Sequence, residues 1–169
     1  GCNKAAEFIQ FCDAFSIPVL SITNVNGFKN CMCSEKKLAK ALARMTYAFS
    51  NATCAKVNMI TGEAYGSAYV FMNSKSIGAD LVYAWNDAKI GTMDSTMAAK
   101  IMYPDADAAE IKEKASEYEK LQSSATSAAA RGYVDRIIEP ADSRKYLVAA
   151  FEMLYTKYVG EPEKKHGTK

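Results

Sequence analysis

"TGEAYGSAYVFMNSK", residues 61–75, decides how this chain is read. An apolar segment, Lys56 to Ile60, runs into it as a strand. Two glycines four residues apart follow, then Ser67-Ala68 and a second apolar segment. That order predicts a strand, a glycine loop over Thr61 to Ala68, and a helix beginning near Gly66. In an α/β sheet, ligands gather beyond the carboxyl ends of strands. A helix starting there presents unpaired N–H groups and the positive end of its dipole. On this reading Gly66 sets the turn, and the N–H groups of Ser67 and Ala68 point out of the first helical turn. Such donors stabilise an oxyanion without any titratable side chain, and losing one typically costs about 3 kcal/mol in the barrier. A second reading makes these residues small only because a helix packs closely on the sheet. A third makes Ser67 a nucleophile.

The nucleophile reading lacks a base. The one histidine, His166, sits in the Lys-rich end "EPEKKHGTK", after Pro162, where an exposed mobile tail is expected over 161–169. A Ser-His or Cys-His mechanism needs an ordered imidazole within hydrogen-bond reach. The motif is also not Gly-x-Ser-x-Gly. A serine hydrolase would have to react with a fluorophosphonate at Ser67, and no labelling is expected.

Outward from the motif, the chain alternates. Ala5, Phe8, Ile9, Cys12 and Phe15 form one helical face, and "VLSITNV" (19–25) alternates as a strand. A loop at 26–33 turns at Asn26-Gly27. Ser34 is the expected N-cap of a long helix that buries Leu38, Ala41, Leu42, Met45, Ala48 and Phe49. Its lysines, 36, 37 and 40, and Arg44 read as a solvated face. Short strands are expected at 81–85 and 89–93. Helices follow from an Asp94 cap to Met102 and over Ala106 to Leu121. The small-residue run 123–132 reads as a turn or short helix, and 133–139 as a strand closed by Pro140. A last helix is capped by Asp142 or Ser143, with Leu147, Ala150, Phe151, Leu154 and Tyr158 on its face, where an oligomer interface is one use. The order describes one α/β domain over 1–160 with crossover connections.

Composition narrows the function classes. Of 169 residues 49% are hydrophobic and 24% charged, with net charge +2, ordinary for a globular domain. The charges are interspersed, which disfavours nucleic acid as a partner. No apolar run approaches membrane-spanning length. Five cysteines, an odd number in a chain with a full core, indicate a reducing, cytoplasmic setting rather than a disulfide framework. Cys31-Met32-Cys33 supplies too few well-spaced ligands for structural zinc, so no metal is expected.

Three stretches carry a resemblance: "AAEFIQFCDAFSIPVLSITNVNGF", "AKVNMITGEAYGSAYVFMNSKSIGADLVYAWNDAKIGTM" and "AARGYVDRIIEPADSRKYLVAAFEMLY". Together they resemble the C-terminal half of the acyl-CoA carboxyltransferases: propionyl-CoA carboxylase beta subunits, transcarboxylase and methylmalonyl-CoA decarboxylase alpha subunits. "MNSKSIGAD" is most similar to the decarboxylase branch. The resemblance covers about Ala5 to Tyr158. It implies a crotonase/ClpP-like spiral of ββα units and carboxyl transfer between biotin on a carrier protein and an acyl-CoA thioester, with no metal at the transfer centre. It implies a homo-oligomer, with this half on the biotin side and an N-terminal half supplying most acyl-CoA contacts. Any membrane link would be indirect, through a sodium-pump complex.

By resemblance, the backbone N–H groups of Ser67 and Ala68 are the oxyanion donors for the biotin ureido oxygen. Gly66 sets their turn, Gly27 and Phe28 form the opposing loop, and Tyr69 is a wall. Val70 stands where many carboxylases carry an aspartate linked to acyl selectivity, so selectivity does not carry over. Asn26 replaces the proline common in the family's turn, and "KNCMCSEKKLAKALAR" replaces its glutamine-glutamate and "RHGAK" loop. The rival expectation is a non-catalytic module that docks carriers or completes a split subunit.

Overall fold

A computed structural model describes residues 1–160. The expected tail at 161–169, with His166, lies outside the described residues. The sheet is parallel, in the order β1 (Val19–Val25), β2 (Lys56–Tyr65), β3 (Leu81–Trp85) and β5 (Arg136–Ile138). β4 (Lys89–Gly91) is off this path and pairs with β2, and its Lys89 also bridges to Ser124. α1 (Cys2–Ala14) and α2 (Met32–Asn51) pack on each other through Ile9, Cys12, Met45 and Phe49. α3 (Gly66–Val70) and α6 (Ala125–Ala130) join a second cluster around Ile60, Val82 and Ile90. On the opposite face, α7 (Ser143–Met153) covers Val57, Met59 and Tyr83. α4 (Ser95–Met102) and α5 (Ala108–Tyr118) form a helical pair. Asp94 caps α4 as the sequence predicts, accepting from the N–H groups of Thr96 and Met97, which satisfies two orphan donors.

The 61–75 stretch differs from expectation in an informative way. The strand does not break into a loop at Gly62 but runs on to Tyr65. Its first part, Val57 to Ile60, pairs with β3, and its last part, Glu63 to Tyr65, pairs with β4. The register with β1 slips between Thr23 and Val25. In the slip, Asn24 Oδ1 accepts the Glu63 N–H at 3.0 Å. A Cβ on Gly62 would stand 2.8 Å from that same oxygen. Gly62 is therefore a place of close approach inside a bulged strand. Gly66 is the corner, at φ +63, where a side chain is strained.

Other boundaries shift for local reasons. α2 starts at Met32 behind an extended Cys31, so Ser34 does not cap it; the Ser34 hydroxyl lies 3.2 Å from Cys31 Sγ instead. α1 buries Ala6, Ile9 and Cys12, whereas Phe8 and Phe15 face outward at 60% and 66% exposure. α5 ends at Tyr118 and widens into a π-turn over Glu119–Ser123. β5 holds only three residues, because Tyr133 is turned back by an N–H bond to the Ala128 carbonyl. Tyr158 lies beyond α7 and is 90% exposed, so it is not part of that helix's packed face.

Candidate active site

The forked pairing of β2 builds a cavity at its carboxyl end. β3 flanks the strand's first half and β4 its second, so Gly91 of β4 sits beside Tyr65. The chain then turns at Gly66 into α3. A Cβ on Gly66 would lie 3.1 Å from the Thr92 carbonyl oxygen, so the corner is closed tightly against the end of β4. Beyond it opens a cavity of 500 Å³, lined by Gly66, Ser67, Tyr69 and Val70 on one side. Ile90, Gly91, Thr92, Ala128, Arg131, Tyr133 and Ser76 complete it.

No side chain caps the start of α3. The first N–H groups of a helix have no intrahelical acceptor, and in α3 these include those of Ser67 and Ala68. Ser67 itself is exposed and Ala68 buried. The Tyr69 hydroxyl is buried without a hydrogen-bond partner among the described residues. Burial, and then the neighbouring Tyr133, push its pKa up to about 12, so it stays a neutral donor. Arg131 is the only charged residue lining the cavity among the described residues. Its guanidinium donates to Gln122 Oε1 and to the Leu121 carbonyl in the π-turn, and this holds it against the wall. Among the described residues no carboxylate, imidazole, thiol or amine lines the cavity. Its lining can orient a ligand and stabilise negative charge.

Of the residues singled out from sequence, Gly66, Ser67, Tyr69 and Val70 meet at this cavity. Ala68, Gly27 and Phe28 do not line it. Phe28 lies beside Phe71, just past α3, with ring centroids 6.5 Å apart, and it lines a separate groove with Cys31 and Leu38. The far wall was not foreseen. Gly91 lies within "KIGTM", and Ala128, Arg131 and Tyr133 lie in or beside "AARGYVD". The second motif is recognisable in sequence, but nothing local says that it folds back over β4. Among the described residues, no group of three or more His, Cys, Asp or Glu side chains is placed to hold a metal ion.

A parallel sheet with its cavity at a forked strand end is the crotonase-like arrangement of the carboxyltransferases. The chain belongs to the carboxyl transferase domain family, whose model matches residues 1–168. It is 45% identical to the methylmalonyl-CoA decarboxylase alpha subunit of Propionigenium modestum, over 98% of this chain and 33% of that protein. It is 40% identical to the methylmalonyl-CoA carboxyltransferase 12S subunit of Propionibacterium freudenreichii subsp. shermanii, over 98% and 33%. A crystal structure of a transcarboxylase 12S hexamer with methylmalonyl-coenzyme A bound superposes with a TM-score of 0.92 at 40% identity, covering 98% of this chain and 33% of that one. The chain thus spans about a third of the length of the curated relatives it matches.

Proposed function

We propose that this chain is the biotin-side portion of an acyl-CoA carboxyltransferase or methylmalonyl-CoA-type decarboxylase. It would work with a biotin carrier protein and with the N-terminal portion that supplies most acyl-CoA contacts. The observation carrying the reading is the corner at Gly66. There a left-handed glycine at φ +63 starts an uncapped helix on the wall of a 500 Å³ cavity.

The residues present fit biotin. The cavity has room for a bicyclic ring, and its donors suit a neutral ureido oxygen. The Tyr69 hydroxyl, buried without a partner among the described residues, gains one if a polar ligand atom reaches it. When bound, biotin supplies a ureido nitrogen that carries the carboxyl group. The Ser67 and Ala68 N–H groups would hold the ureido oxygen. Tyr69 and Val70 would wall the ring. The chain's own contribution is then positional and electrostatic. It holds an oxygen on which negative charge grows, each such donor being worth about 3 kcal/mol.

The test has two parts. Titrating the chain with biotin should shift amide resonances of residues 66–70; saturating ligand that perturbs nothing there removes the site. Adding the N-terminal portion and assaying acyl-CoA decarboxylation with free biotin separates an enzyme from an assembly module. An intact complex without turnover favours the module.

A further inference from the structure

Arg131 lines the cavity as a cation without a counter-ion. Among the described residues it makes no salt bridge. Both of its hydrogen bonds leave from one nitrogen: Nη2 donates to Gln122 Oε1 and, at 3.4 Å, to the Leu121 carbonyl. A guanidinium also carries N–H groups on Nε and Nη1, and these have no partner among the described residues. The bracket that holds Arg131 is tied down in turn. Leu121 and Gln122 belong to the π-turn over Glu119–Ser123, a widened turn of the kind that recurs at functional sites. Ser127 Oγ donates to the same Leu121 carbonyl at 2.8 Å. Ser123 is fully buried against β4, where a Cβ on Gly91 would lie 3.0 Å from its hydroxyl. Glu119, in the same turn, is held by Lys89 of β4 at 3.0 Å. The turn is thus fastened to the strand whose end lines the cavity.

A second group in the same cavity asks for a ligand. Tyr69 is 7% exposed, and its hydroxyl has no partner among the described residues. A buried neutral donor and an unpaired guanidinium on one cavity wall suit a ligand with two kinds of oxygen, one uncharged and one anionic. We propose that Arg131 recognises a carboxylate borne on the atom next to a carbonyl, with Gln122 as its positioning residue; this rests on the reading of the cavity as a carboxyl-transfer site. Both ends of such a transfer carry that pattern. One is a ureido nitrogen bearing the carboxylate beside the ureido carbonyl. The other is an acyl α-carbon bearing it beside the thioester carbonyl. In either, the carbonyl oxygen is left to the neutral donors and the carboxylate to Arg131.

Probes that differ only by the carboxylate test it, by calorimetric titration of the complex with the N-terminal portion. Biotin methyl ester is set against freshly made N-carboxybiotin methyl ester, and the acetyl thioester of N-acetylcysteamine against the malonyl thioester. In at least one pair the carboxylated member should bind about tenfold tighter. Arg131→Met should cut that preference below about twofold and leave the neutral member's Kd nearly unchanged. Arg131→Lys should keep part of it, since the charge stays and the planar donors go. Gln122→Leu should lose about threefold of the preference, again without weakening the neutral member. Circular dichroism confirms folding, and Arg131→Gln replaces any variant that fails. A preference in the biotin pair supports the proposal with the carboxylate on nitrogen. A preference in the thioester pair alone, with no binding of biotin methyl ester, supports Arg131's role and removes the biotin-side reading. No preference in either pair overturns the proposal, even where biotin methyl ester binds and the biotin-side reading stands. So does a preference that survives loss of Arg131, or an equal loss of neutral and carboxylated binding, which is the mark of a purely structural arginine.

Discussion

Lys75 Nζ lies 2.8 Å from both carboxylate oxygens of Asp135, sixty residues away. The same lysine donates to the Asp80 carbonyl at 3.0 Å, and Asp135 Oδ2 accepts the Val82 N–H at 2.7 Å. The pair ties "SKSIGAD" to "RGYVD" across the start of β3. Two of the most recognisable motifs in this chain therefore hold the strands that flank the cavity.

The two roles of Asp135 can be separated by substitution. Asp135→Asn keeps an acceptor for Val82 and loses the ion pair. Both partners are about a third exposed, so the loss should stay below about 1 kcal/mol. Asp135→Ala also orphans the N–H of fully buried Val82 and should cost about 2 kcal/mol. Urea unfolding of the two variants measures the difference; equal losses would show that the backbone contact contributes nothing.

Lys157 fastens the end of the described chain. Its ammonium donates to Asp80 Oδ2 and to the Cys54 carbonyl, both at 2.9 Å. Asp80 Oδ2 also accepts the Lys56 N–H. Lys56 is buried, with its Nζ on the Phe49 carbonyl. Its pKa is lowered, first by burial and then by Lys157, against the pull of Asp80. Lys157→Met should cost about 2 kcal/mol and open residues 154–160 to amide exchange. A destabilised variant whose exchange there is unchanged would rule out the clasp.

At the Gly66 corner the chemistry rests on backbone, so side-chain changes should sort cleanly. In the complex reconstituted with the N-terminal portion, Ser67→Ala should keep kcat within about twofold, since no side-chain role is invoked. Gly66→Ala puts a Cβ at φ +63, 3.1 Å from the Thr92 carbonyl, and should lower kcat about a hundredfold by moving the donors. A large loss in Ser67→Ala would transfer the role to the hydroxyl.

Alkaline pH should weaken the fold through two tyrosines. Tyr69 is raised to about 12 by burial and then by Tyr133. Tyr65 is raised to about 12 by burial and then by Asp94, Glu63 and Glu119. Both ionise near 10 when unfolded, so their contribution is complete below pH 10 and is lost as pH climbs to 12. The melting temperature should fall across that window, and less steeply in Tyr65→Phe and Tyr69→Phe. Phenolate absorbance in the folded chain should show these two titrating late. A flat stability profile from pH 10 to 12 would contradict the assignment.

How far the fold was legible follows from what is local. Apolar periodicity placed β1, β2, β3 and the body of α2, and Asp94 announced its helix, because spacing and capping act within a few residues. The family resemblance came from contiguous motifs and led directly to Gly66, Ser67 and Ala68. Pairing decided the rest. The α1 pattern alone could not say that Phe8 and Phe15 face outward, since which stripe is buried depends on where α2 lies. "TGEAY" looks like a loop until Asn24 packs against Gly62 and β4 pairs with the strand's end.

The sequence by itself determined the family, the order of the elements and the position of the glycine corner at Gly66, all properties of short contiguous stretches. Only the tertiary structure decided what that corner faces. Gly91, Ala128, Arg131 and Tyr133 reach the cavity because β2 splits its pairing between β3 and β4. That split is a long-range hydrogen-bonding choice, and no local pattern of side chains encodes it.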